Sequence, residues 1–336
     1  ASYSLVKTMR GSILVLGPLI ARYYKSKISL PGGCLIGARP INYHLDSLKK
    51  LGMSYVLKDG YILAKSRGKL KGTIIKFPKL SVGATENSII AACLAKGTTI
   101  LKNCAIEPEI KDLTNFLNSA GAKISWFGKT CKIVGVNTLN STEYSVMADR
   151  IEAGTFCVAA TLAKGNLKIS NLDAKIIKTE LELLKRFGAK IKTHKEKIFI
   201  KGPEKIRFIK NIKTKEYPGI ATDLQSQIMV LMCKANGKGS ITENIFENRF
   251  MHVAELRRLG AKIDVENNKA YIYGNTKFIG AELMSSDLRA SVSLVLAAMV
   301  SSGKSIINRI YHLDRGYENI EQKLKKIGVK IKRLKQ

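Results

Sequence analysis

The stretch Leu48-Lys49-Lys50-Leu51-Gly52 decides the fold, because the chain repeats it. It returns as Leu184-Lys185-Arg186-Phe187-Gly188, as Leu256-Arg257-Arg258-Leu259-Gly260 and as Leu324-Lys325-Lys326-Ile327-Gly328. A weaker copy stands at Leu117-Asn118-Ser119-Ala120-Gly121, and the five glycines are spaced by 69, 67, 72 and 68 residues. Two apolar residues three apart, closed by glycine, read as the last turn of an amphipathic helix with a glycine cap. Four of the glycines are followed by Ala or Val, Lys and Ile, and then by an alternating run such as Lys190-Ile191-Lys192, which reads as a strand.

A second element recurs between the glycines. Ile90–Gly97, Val158–Gly165 and Leu296–Gly303 are Ala-rich, mostly apolar segments, the first followed by the β-like run Thr98-Thr99-Ile100-Leu101. Each unit therefore reads as strand, buried helix, strand, amphipathic helix and two strands, an α/β unit of the order βαβαββ. Its length exceeds the period of about 20–50 residues typical of solenoids, so the units are expected to pack into compact bodies. With three units to a domain, residues 149–336 form a complete one. Residues 1–148 then hold two units and read as a domain whose first unit is absent.

The 336 residues are 45% apolar and 25% charged, a globular balance. The formal charge of +31 points to anionic partners: nucleic acid, a membrane surface or phosphorylated small molecules. Lys, Ile and Asn are abundant along the whole chain, so the charge alone does not choose among them. The longest apolar run, Val292 to Val300, is half of the ~18–20 residues that a membrane span needs. The opening Ala1-Ser2-Tyr3 has no signal-peptide pattern, and the lack of an initiator Met points to a truncated or processed chain. The six cysteines (34, 93, 104, 131, 157 and 233) have no CxxC spacing and there are only four histidines, so no metal centre and a reducing, cytoplasmic setting are expected. Cys93, Cys157 and Cys233 lie in apolar helical runs and read as buried, and His44, His194, His252 and His312 read as structural.

Polar residues that packing does not explain cluster ahead of the helices. Asp149-Arg150, Thr222-Asp223 and Ser286-Asp287-Leu288-Arg289 stand before buried helices, and Arg39-Pro40, Asn248-Arg249 and Asp314-Arg315 before amphipathic ones. Ser, Thr and Asp there are explained by helix capping. Arginine is not: Arg10, Arg39, Arg150, Arg249, Arg289 and Arg315 all oppose the helix dipole. Their repetition suggests a cleft that gathers phosphate or carboxylate. Pro31-Gly32-Gly33-Cys34-Leu35-Ile36-Gly37-Ala38-Arg39-Pro40 places a thiol in a glycine-rich loop near a cation, where its reactivity rises. Ser81-Val82-Gly83 could cradle a phosphate but lacks the Gly-Lys-Ser/Thr of a Walker loop.

These residues resemble the UDP-N-acetylglucosamine 1-carboxyvinyltransferases. The resemblance is carried by the Pro31–Pro40 loop, Ser81–Asn87, Asp149–Thr155, Phe246–His252 and His312–Glu318, and it runs through nearly the whole chain. It implies an inverse α/β prism, the enolpyruvyl transferase fold, of two domains with the active site between them. It also implies transfer of the enolpyruvyl group of phosphoenolpyruvate to the 3-hydroxyl of UDP-N-acetylglucosamine without a cofactor or metal. By the matching motifs, Asp223 would be the base, Cys34 the acid and fosfomycin target, and Arg39 and Arg315 the binders of phosphoenolpyruvate. Arg10, Arg39, Pro40, Ile41, Asn42, Tyr43, Lys79, Ser81, Val82, Gly83 and Ile245 would hold the nucleotide sugar, with Arg249, Asp287 and Arg289 lining the same cleft.

Two departures stand out. The family begins with a further unit carrying a Lys-Asn pair that nothing here matches, and Asn42 replaces the usual Asp. A catalytically inactive remnant that binds a UDP-sugar is therefore the alternative reading. A basic nucleic-acid-binding protein is a third reading, but no RNP-like, helix-turn-helix or zinc-finger motif supports it.

Overall fold

The computed structural model describes residues 10–30 and 41–334. They divide into one unit of 10–30 with 41–147 and a second of 148–334. In the first, a 3-10 helix (Arg10–Val15) leads into α1 (Leu16–Tyr23), β1 (Lys25–Ser29), α2 (Asn42–Lys50) and the hairpin β2 (Met53–Lys58) and β3 (Tyr61–Ser66). Then come β4 (Ile74–Lys76), α3 (Val82–Ala92), β5 (Thr98–Lys102), α4 (Pro108–Ser119), β6 (Lys123–Phe127) and β7 (Thr130–Val134). That is the expected βαβαββ order, folded as a sheet β4-β5-β7-β6.

The second unit continues with α5 (Arg150–Leu162), β8 (Asn166–Ser170), α6 (Lys178–Arg186), β9 (Lys190–His194) and β10 (Lys197–Lys201). A full copy follows: β11 (Asn211–Lys213), α7 (Gln225–Lys234), β12 (Lys238–Thr242), α8 (Val253–Arg258), β13 (Lys262–Glu266) and β14 (Lys269–Tyr273). The last copy has β15 (Glu282–Met284), α9 (Leu288–Met299), β16 (Ile306–Asn308), α10 (Tyr311–Asp314) and α11 (Ile320–Lys326).

The five repeat glycines share one backbone state. Gly52, Gly121, Gly188, Gly260 and Gly328 have φ of +109°, +95°, +107°, +96° and +95°, a region open to glycine and strained for other residues. Each amide reaches back three residues, as from Gly188 to the Lys185 carbonyl at 2.9 Å. In four copies the next amide closes a six-residue loop, as from Ala189 to the Leu184 carbonyl at 3.1 Å. This is the Schellman arrangement, which satisfies carbonyls that the helix end would leave open.

Strand direction then separates the two ends of a copy. β4 runs parallel to β5, while β7 is antiparallel to both β5 and β6. The starts of α3 and α4 and the β6–β7 turn therefore lie at one end, and the capping glycine lies at the other. The bond from the Cys104 amide to the Lys129 carbonyl, 2.9 Å, ties that turn to the loop before α4.

Two expected strands do not form. Residues 136–148 run instead along α4, where Asn140 N donates to the Ala120 carbonyl and Tyr144 Oη to Asp112. After Gly328, Val329 and Ile331 pack on the cluster around Tyr317 without a hairpin partner. The Ala-rich helices are buried as expected, as in α5, where every residue from Cys157 to Leu162 is buried. Lysines take the outer positions of the strands, as in β10, where Ile198 and Ile200 are buried and Lys197 and Lys201 exposed. Among the described residues, no helix is long and apolar enough to cross a membrane.

Candidate active site

The three copies of the second unit each set an aspartate at the start of their buried helix: Asp149, Asp223 and Asp287. Two of them are caps. Asp149 accepts from the amides of Ile151 and Glu152, and Asp287 Oδ1 accepts from those of Arg289 and Ala290 at 2.9 and 3.0 Å. Asp223 sits in a 3-10 turn, Thr222–Leu224, ahead of α7. Its carboxylate goes to arginines instead. Arg249 Nη2 lies 2.5 Å from Oδ1 and Arg289 Nη2 3.3 Å from Oδ2. The Arg249 side chain is 4% exposed and that of Asp223 39%, so a buried cation presents a carboxylate that solvent and ligands can reach.

Each arginine is fixed from behind. Arg249 Nε and Nη2 donate to the Thr222 carbonyl at 3.4 and 3.3 Å, and its guanidinium lies 5.7 Å from the Phe246 ring centre. Arg289 Nη1 donates to Tyr317 Oη at 3.2 Å. Burial works against the Arg289 charge, but the Asp223 carboxylate and Tyr317 outweigh it and hold the guanidinium above the ordinary arginine range. Beside this pair, His252 is fully enclosed, and burial pushes it down to about 4, with Asp287 opposing and Arg249 reinforcing the shift. The imidazole is therefore neutral at pH 7.

Glu243 joins two parts of the site. Its Oε1 accepts from the amides of Ile245 and Phe246 at 2.8 and 3.2 Å, and its Oε2 accepts from Thr222 Oγ1 at 3.0 Å. One buried carboxylate thus fixes the half-buried Ile245 loop and the turn bearing Asp223. Arg315 is exposed at the end of α10. It adds to partial burial in lowering the pKa of His312, which Asp287 opposes, so Arg315, His312 and Asp287 share a neighbourhood.

In the first unit, Ile41, Asn42 and Tyr43 open α2, and Ser81, Val82 and Gly83 open α3, with Ser81 capping the helix through the Ala84 amide. His44 brings these segments together. A Cβ at Gly83 would lie 2.9 Å from His44 Cε1, so only glycine fits, and Asn87 Nδ2 is 3.2 Å from His44 Nδ1. Asn87 also accepts from the Gly17 amide at 2.7 Å. His44 is thus structural, as read, and it holds together two segments expected to touch the nucleotide sugar. Lys79 and Val82 are exposed. Cys34, Arg39, Pro40 and the Arg10 side chain lie outside the described residues. Among those described, no group of three His, Cys, Asp or Glu side chains could hold a metal.

The sequence reading missed Glu243, Gln227, Thr155 and Tyr317 as parts of the site. A usable signal existed for Gln227: Gln225-Ser226-Gln227 opens an otherwise apolar helix, and buried polar groups there need partners.

The whole fold is that of the enolpyruvyl transferases. It superposes on the enolpyruvyl transferase NikO from Streptomyces tendae with a TM-score of 0.89 at 25% identity, covering 98% of this chain and 79% of that one. EPSP synthase from Acinetobacter baumannii shares the fold at a TM-score of 0.74 and 19% identity, over 96% of this chain and 78% of that one. The family model of EPSP synthase (3-phosphoshikimate 1-carboxyvinyltransferase) matches residues 1–324. UDP-N-acetylglucosamine 1-carboxyvinyltransferase of Pelagibacter ubique is 63% identical over 335 residues, 99% of this chain and 80% of that protein. The enzyme of the same name from Pseudoalteromonas atlantica is 51% identical over 100% of this chain and 80% of that protein. The chain belongs to the UDP-N-acetylglucosamine 1-carboxyvinyltransferases, within the EPSP synthase family.

Proposed function

We propose that the chain transfers the enolpyruvyl group of phosphoenolpyruvate to the 3-hydroxyl of UDP-N-acetylglucosamine with release of phosphate, in the cytoplasm, as the first committed step of peptidoglycan synthesis. The single observation that carries the residue roles is the Asp223 carboxylate, uncapped and held by Arg249 and Arg289. Asp223 takes the proton from the sugar hydroxyl as its oxygen bonds to C2 of phosphoenolpyruvate. Cys34 delivers a proton to C3, and the tetrahedral adduct carries both the sugar oxygen and phosphate. Return of a C3 proton to the Cys34 thiolate then expels phosphate, which carries off the proton held by Asp223, and restores the double bond.

Arg39 and Arg315 neutralise the phosphate and carboxylate of phosphoenolpyruvate as charge develops. Arg10 holds the nucleotide sugar. Residues Arg39, Pro40, Ile41, Asn42 and Tyr43 contact uracil, Lys79, Ser81, Val82 and Gly83 the diphosphate, and Ile245 the sugar. The work is shared between a domain of residues 1–148 and one of 149–336. The test is phosphate release from phosphoenolpyruvate with and without UDP-N-acetylglucosamine, for the parent chain and Asp223→Asn. Release that needs the sugar nucleotide and vanishes in Asp223→Asn is expected. Undiminished release by Asp223→Asn would remove the base assignment, and release independent of the sugar nucleotide would remove the acceptor.

A further inference from the structure

Behind the Asp223 clamp, polar side chains from all three copies of the second unit meet in an otherwise apolar interior. Tyr317 is 0% exposed, and its hydroxyl lies 2.8 Å from Thr155 Oγ1 of α5 and 3.4 Å from Gln227 Nε2 of α7. The third partner is Arg289 of α9, 3.2 Å from the same oxygen. Proton directions follow from the partners. Thr155 donates its own proton to the Ile151 carbonyl at 2.9 Å, so its oxygen accepts from Tyr317. The Tyr317 oxygen is then left to accept from the guanidinium, which can only donate. Gln227 Nε2 also donates to the Asp223 carbonyl at 3.0 Å, so the network grips the aspartate by its backbone as well as its side chain.

A guanidinium is planar, so fixing Nη1 on Tyr317 fixes the direction in which Nη2 points. Nη2 is the atom that holds Asp223 Oδ2. A buried network of this kind is worth having only when every member is satisfied, and here each contributes a distinct bond. We infer that Tyr317, held by Thr155 and Gln227, is a positioning residue for the proton-accepting carboxylate: through Arg289 it sets the orientation of Asp223. This rests on the reading of Asp223 as the base. Tyr317 itself touches no reacting atom.

The experiment compares Tyr317→Phe, Arg289→Lys and the double variant in the full chain. Tyr317→Phe should lower kcat roughly tenfold, the effect of one hydrogen bond to a charged group, with the KM for UDP-N-acetylglucosamine within about twofold of the parent. In the Arg289→Lys background the same change should add nothing, because its path to Asp223 is already broken. Nitrogen-15 NMR of the Arg289 guanidinium gives a readout that needs no turnover. Separate, slowly exchanging Nη resonances in the parent should merge in Tyr317→Phe. An unchanged guanidinium signature, or rate losses that multiply in the double variant, would overturn the inference. If the parent chain releases no phosphate, or Asp223→Asn remains active, the base reading fails, and the NMR comparison still decides whether Tyr317 orders Arg289. Should Tyr317→Phe not fold, Thr155→Val, which removes the acceptor of the tyrosine proton, carries the same comparison.

Discussion

Arg249 Nη2 stands 2.5 Å from Asp223 Oδ1, and the arginine is the buried partner. The pair is therefore not a surface ion pair of small worth. Its cation cannot rehydrate when the carboxylate is lost, and its carboxylate can receive a proton without leaving its place.

Arg249→Ala should cost about 2–3 kcal/mol of unfolding free energy, less than a fully buried pair because Asp223 remains partly hydrated. Turnover should fall by at least about a hundredfold, since the carboxylate loses its buried cation. Urea unfolding together with steady-state kinetics checks both. A variant as stable and as active as the parent would show that the clamp is incidental.

Glu243→Gln keeps the shape of the side chain but replaces one acceptor oxygen with an amide donor facing either Thr222 or the Ile245 and Phe246 amides. The Ile245 loop should loosen, raising the KM for UDP-N-acetylglucosamine about tenfold while kcat falls less. Loss of kcat alone would place the effect at Asp223 and not at the sugar.

Glu86 on α3 is raised to about 7, first by burial and then by Glu109 and Glu107. In the unfolded chain it titrates near 4.5, so between these values the folded form binds more protons and stability falls as pH rises. Glu86→Gln should be more stable than the parent at pH 8 by on the order of 3 kcal/mol and indistinguishable from it at pH 4. Thermal melts at the two values measure this. An equal difference at both would refute the titration.

His252 works in the opposite direction. Its folded value of about 4 lies below the unfolded 6.5, so the unfolded chain binds more protons in that interval. Stability should drop as pH falls from about 6.5 to 4, by on the order of 3 kcal/mol. His252→Gln should flatten that limb of the stability curve. A limb of the same slope in the variant would assign acid lability elsewhere.

Burial pushes the thiols of Cys93, Cys104, Cys157 and Cys233 up to about 12 and that of Cys131 higher still. Thiolate is the reactive form, so these five should stay unmodified in the native chain. Maleimide at pH 7 should label Cys34 alone, and all six cysteines after unfolding in guanidinium. Fosfomycin added first should block the native label. Native labelling at Cys93 or Cys157 would contradict the burial seen here.

Much of the fold was legible because its main signal is local. A helix that ends Leu-Lys-Lys-Leu-Gly has its periodicity and its left-handed cap within five residues, and both survive in every copy. The site was legible only in part. Asp149, Asp223 and Asp287 look alike in sequence, each standing just before a largely apolar helix. Only the positions of Arg249, from later in the same copy, and of Arg289, from the next copy, set the Asp223 carboxylate apart from its two counterparts. Tyr317 and Thr155 are 162 positions apart, and no periodicity reports such a contact. The two strands that failed to form depended on pairing partners, which alternation within one segment does not specify.

The opposed ends of each copy have a consequence for change over generations. Folding information is concentrated at the glycine end, where a side chain would strain the backbone. The other end offers helix starts and a hairpin turn, where such constraints fall on single residues such as Gly83 and Gly128. Acceptor preference can therefore drift at one end while the module stays foldable at the other. A redesign for a different sugar nucleotide would vary the loops around Ile245 and Ser81-Val82 and leave Gly83 and every Schellman glycine alone.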